Sequence, residues 1–240
     1  MTFPLAYPVL LMAGWIAAWL VDIEARALFA WGGDADTVFW MFAKLAVWVL
    51  PTVWFVRRGG DARVADYFSL RQPGRGAAFG VLIGLAMLAV SFLLDFVLGG
   101  ASFNIPVPDL TLVSAVVVTP FAEEWALRGF YMRGLTERGV EPKNANTYAA
   151  YAFVAMHLPG WYFQGRMREP LGLLQQVIFL WLFGLVLGWS KNAWSKNTWS
   201  KNARSKNTWS KNAWVREKPV SLLTPMVVHA LNNAYVAARG

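Results

Sequence analysis

The chain contains no cysteine, so disulfides and thiolate metal sites are excluded and cysteine usage says nothing about the redox compartment. Charge is scarce as well. Only 15% of the 240 residues are charged and 57% are hydrophobic, too apolar a balance for a water-soluble domain to cover with polar surface. Histidine occurs twice, at His157 and His229, and there is no His-Glu-x-x-His segment of the kind that carries zinc in many proteases. The first apolar stretch, residues 4–21, has no Lys or Arg before it and no small-residue cleavage site, so it reads as a retained span and not as a removable signal.

What is present is apolar length. Several runs approach the ~20 residues that a helix needs to cross a ~30 Å hydrocarbon layer. The expected fold is all-α, a multi-pass transmembrane helical bundle of about seven (seven to eight) spans near residues 4–21, 38–56, 77–98, 109–130, 145–163, 171–189 and 219–237. The net charge of +8 is explained by the lipid bilayer as partner, because anionic headgroups and retention of Lys and Arg in the cytoplasm both favour basic membrane proteins; no nucleic acid is expected.

The loops alternate in basic content. Of 22 Lys and Arg, 17 fall in segments 57–76, 128–144 and 190–218, four (Arg26, Arg166, Arg168, Arg239) fall on the opposite side, and Lys44 lies within a span. This places the amino terminus in the cytoplasm. Arg128 strains the pattern together with Glu123 and Glu124, which suggests a longer fourth helix, from about Asp109 to Leu135, with both glutamates near mid-depth. Between Trp189 and Trp214 a pentad, Trp-Ser-Lys-Asn-Ala/Thr, repeats five times, with Arg204 replacing one Trp. A five-residue period advances ~140° per repeat on a helix and gives no single apolar face. We read the segment as an expanded low-complexity loop; a basic, aromatic lipid-surface segment is the functional alternative.

Ionisable residues inside spans are costly and tend to be functional or paired. They concentrate at Glu123, Glu124 and Arg128 on the fourth span, His157 on the fifth, and His229 with Asn233 on the seventh; Lys44 and Asp95 read as snorkelling or locally paired groups. Glu124 and Arg128 are four apart and share a helix face, whereas Glu123 points about 100° away and is left free to act as a general base. Phe153 and His157, and His229 and Asn233, are also four apart. Each alone has a structural reading, a Glu–Arg pair as helix glue or a histidine bonded to a neighbouring helix. Three spans each carrying an acid, base or amide are harder to explain separately.

The set Glu123-Glu124-Trp-Ala-Leu-Arg128-Gly129, then Phe153-Val-Ala-Met-His157, then His229-Ala-Leu-Asn-Asn233 resembles the three ordered motifs of the CPBP family, the type II CAAX prenyl proteases and their bacterial relatives, which include bacteriocin-processing and self-immunity proteins. The resemblance spans residues 109–237. It divides the chain into three N-terminal helices, 1–108, and a protease core, 109–240, that contains the repeat loop 189–214. It implies an intramembrane endopeptidase acting on a membrane-associated peptide or protein substrate. In that reading Glu123 activates water with His157, His229 and Asn233 stabilise the oxyanion, and Glu124, Arg128 and Phe153 support the site. Leu127 stands where the family often has Phe. The residues leave the cofactor open between none and a divalent metal such as zinc, held if present by Glu123, His157 and His229. A proton-coupled transporter and a non-catalytic immunity or scaffold protein are the readings from other classes. The expected location is a prokaryotic plasma membrane.

Overall fold

Hydrocarbon offers no hydrogen bonds, so a chain crossing it must satisfy its backbone internally, and the helix is the local solution. The structure is a computed structural model that describes residues 3–58, 67, 73–98, 102–193 and 221–239. The described residues form α1 (Phe3–Phe29), α2 (Asp34–Arg58), α3 (Pro73–Leu98), α4 (Leu110–Glu137), α5 (Pro142–Ala155), α6 (Leu158–Phe163), α7 (Pro170–Ala193) and α8 (Leu223–Ala238), with no strand among them. The protein is an all-helical membrane bundle. Five helices, α1, α2, α3, α4 and α7, are long and apolar enough to cross a membrane.

The fourth helix is long, as its buried charges suggest, and Asp109 caps it by accepting from the Leu112 amide at 2.8 Å. Two other expectations change. Residues 145–163 do not form one span: α5 ends at Ala155 and α6 restarts at Leu158, with Pro159 in its first turn. That proline has no amide hydrogen to continue the ladder, and it forces the break that puts His157 at the corner. The helix α1 continues to Phe29, beyond the expected end at residue 21, because the polar residues that close the apolar run are paired. Asp22 and Arg26 lie one turn apart at 3.0 Å, and Arg26 reaches on to Asp36 at the start of α2. Beyond Ala193 the pentad repeat, and the expected start of the last span, lie outside the described residues.

α4 is the axis of the bundle. Every residue from Ala122 to Met132 is buried, and the helix is interrupted twice by π-helical stretches, Ser114–Val118 and Trp125–Tyr131. Such stretches widen the turn and disturb the regular ladder, and side chains attend to the carbonyls here. Thr119 donates to Ser114 O at 2.8 Å, Asn233 Nδ2 to Ala115 O at 2.7 Å, and Lys191 Nζ to Arg128 O.

Around α4 two helix pairs close the structure. α3 lies along α8 through Gly76, Gly80 and Gly84, spaced one turn apart. A Cβ at Gly80 would come within 2.8 Å of Thr224 O, and one at Gly84 within 2.5 Å of Leu231 Cδ1. Small residues at this spacing let helices approach closely where there is no hydrophobic drive between them. α5 lies along α7 in the same way, with Ala150 against Gly184 and Asn146 against Gly188. These pairs fix α5 and α8, the carriers of the two histidines, against α4.

Candidate active site

The site grows from one carboxylate. Glu124 Oε1 accepts from Arg128 Nη1 at 3.1 Å, within α4, and from His229 Nδ1 at 2.9 Å, across from α8. Glu124 and Arg128 are fully buried and His229 nearly so. Arg128 spends a second donor on Gly184 O of α7, at 3.1 Å, and its guanidinium stacks over the Phe153 ring of α5 at 4.7 Å. Phe153 and Phe183 meet the His229 ring edge to face, at 5.8 and 5.4 Å. Glu124 and Arg128 together therefore tie α4 to α5, α7 and α8. A buried ion pair of this kind is not a large net stabiliser, but removing either partner would leave an uncompensated charge in a dry interior.

Glu123 differs in every respect except burial. It is turned to another face of α4, no hydrogen bond reaches it among the described residues, and its Oε2 is enclosed without a partner. Glu124 also keeps its Oε2 unpartnered, but its Oε1 is committed twice. His229 Nε2 stands 4.0 Å from Glu123 Oε2, too long for a direct hydrogen bond and short enough for one water molecule to bind both.

His157, at the corner between α5 and α6, has Nδ1 2.7 Å from Phe153 O. A carbonyl can only accept, so Nδ1 carries a proton, and in the neutral ring Nε2 is left with its lone pair. The ring is held between Phe153 and Trp161.

Asn233 lies one turn beyond His229 and gives one N–H to Ala115 O, keeping the second. It faces an open cleft of about 460 Å³ between α2, α4 and α8, whose wall also includes Lys44, Ser114, Thr119, Trp40 and, at the mouth, Asp36. Lys44 donates to Thr119 Oγ1 at 2.6 Å.

The structure thus gathers Glu123, Glu124, Arg128, Phe153, His157 and His229, and puts Asn233 beside them on the cleft. Among the described residues no three carboxylate, imidazole or thiolate groups converge as metal ligands. Lys44, read as a snorkelling or locally paired group, is paired locally with Thr119 and forms part of the cleft wall, six residues inside the nearest predicted end of its span. Tyr7 of α1 is buried against α4, with its hydroxyl 2.6 Å from Thr52 Oγ1 and 3.4 Å from Ala126 O, and no spacing marked it.

A helical membrane bundle with acids, imidazoles and an amide gathered at mid-length of a buried helix is the class these observations define. Residues 106–201 match the family described as type II CAAX prenyl endopeptidase Rce1-like. The match supports a CAAX-protease-like assignment; it takes in Glu123, Glu124, Arg128, Phe153 and His157 and ends before His229 and Asn233. No curated protein and no solved structure matches the chain.

Proposed function

We propose that the chain is an intramembrane endopeptidase that hydrolyses a peptide bond of a membrane-associated peptide or protein through water activated by Glu123, with His157 assisting. The observation that carries this is the division of labour between adjacent carboxylates, Glu124 spent on Arg128 and His229 and Glu123 buried and unspent. Glu123 accepts a proton from water as its oxygen attacks the carbonyl carbon, and the proton passes to the departing amine when the C–N bond breaks. The oxyanion takes the remaining N–H of Asn233 and a donor from His229 Nε2 when that ring carries both protons. Glu124, Arg128 and Phe153 position His229.

The core 109–240 carries these groups, and the helices before it supply walls. The basic residues of the loops, 16 of them on one side once the buried Arg128 is set aside from the 17, favour a cytoplasmic amino terminus. A reporter fused after Arg63 should then read cytoplasmic and one after Ser102 external; the reverse pattern rejects the orientation.

The test of the chemistry is Glu123→Gln. This change keeps shape and hydrogen-bonding capacity, so the protein should accumulate and melt as the parent does while cleavage of a membrane-anchored peptide falls about 100-fold or more. Undiminished cleavage by the folded variant would overturn the mechanism.

A further inference from the structure

The cleft beside the site has a cation in its wall with no anion to match it. Lys44 is on α2, within a membrane-crossing helix, where an ammonium group is costly unless it is paired or reaches water. Among the described residues its hydrogen-bond partner is a neutral hydroxyl, that of Thr119, and no carboxylate lies within ion-pair distance. The acid whose charge it feels is Glu123. Asp36 belongs to the same cleft, but it stands eight residues earlier on α2, about 12 Å along the axis, and is engaged by Arg26. The inner wall thus carries two unspent ammonium N–H groups from Lys44, with Thr119 one turn before Glu123 joining the wall to the reactive carboxylate.

We propose that this wall is a carboxylate subsite in which Lys44 holds an acidic group of the bound peptide while Glu123 addresses the scissile bond. The proposal rests on the peptidase reading. The peptide's carboxylate has two sources, its C-terminus or an Asp or Glu side chain. A charge-assisted hydrogen bond to a partly desolvated ammonium is strong enough to select for either. Lys44 lies outside residues 106–201, so the cation of the subsite comes from a helix that precedes the matched segment, while Thr119 lies within it.

The test uses the full-length protein in liposomes of neutral lipid and one fluorescent apolar heptapeptide in four forms: C-terminal acid or amide, each with Asp or Asn at one internal position. Binding and cleavage are both measured, for the parent, Lys44→Met, Lys44→Arg and Thr119→Val. The parent should bind an acidic form about tenfold or more tightly than its neutral counterpart, and the arm that carries the difference identifies the source. Lys44→Met should erase the preference, Lys44→Arg should retain most of it, and Thr119→Val should weaken it. Equal binding of all four forms by the parent overturns the subsite, and so does a preference that survives in Lys44→Met. If Lys44→Met does not fold, the parent's four-way comparison and Thr119→Val decide. Discrimination in binding without any cleavage would reject the peptidase reading and leave the subsite standing, whereas cleavage without discrimination would do the opposite.

Discussion

α3 and α4 are both long and apolar enough to cross a membrane, and they pack in opposite ways. α3 has a mean hydropathy of 2.5 and buries 11% of its apolar window inside the protein; α4 has 1.4 and buries half. In water the more apolar helix would be the inner one. In lipid there is no reward for hiding leucine from acyl chains, so position follows polarity: the helix carrying Glu123, Glu124 and Arg128 is wrapped by the others, and the smoothest apolar helix is left outside. Where α3 meets α8 most closely it contributes absence, a strip of three glycines.

That contrast is most severely broken at Glu124. Glu124→Gln leaves the buried Arg128 guanidinium without its charge partner, and losing one member of a buried pair costs about 3–5 kcal/mol. Abundance and thermal midpoint of the purified protein should both fall; a fully stable variant would mean that α4 is not held by its charges. A smaller effect is expected on the other helix from Gly80→Val, which forces a side chain into Thr224 O and Val227. Overpacking of this kind costs roughly 1–3 kcal/mol and should loosen α8, lowering the melting temperature together with any activity that depends on His229. The smallest effect is reserved for the lipid face of α3. Leu82, 64% exposed from the protein, should tolerate Leu82→Ala with a change of about 0.5 kcal/mol or less. A large loss there would show that another protein surface, and not lipid, covers α3.

Most of the fold could be read from apolar length, and the site from charge inside it. The long fourth helix followed from Glu123, Glu124 and Arg128 alone, and so did the Glu124–Arg128 contact, because four residues make one turn. The break after α5 was also within reach: Leu158-Pro159-Gly160 is a stop signal that hydropathy averaged away. The end of α1 was misplaced for the opposite reason, since Asp22 and Arg26 look like the edge of a span when considered singly and continue the helix when paired. Beyond reach were events between distant residues. Nothing in the spacing of Asn233 or Lys191 says that they bond the carbonyls of Ala115 and Arg128, or that Tyr7 docks on Ala126, because those contacts depend on how separate helices are rotated against each other.

The π-helical stretch at Ser114–Val118 gives chain length a meaning that composition does not have. A π-helical turn holds one residue more than the α-helical turn it replaces, so taking a single valine such as Val116 out of this stretch would barely alter its hydropathy and would be absorbed as an ordinary α-helical turn, with the helix on either side kept in phase. The same one-residue deletion in the α-helical turn Thr119–Glu124 would instead rotate all that follows by about 100° and carry the spent and unspent glutamates away from their places.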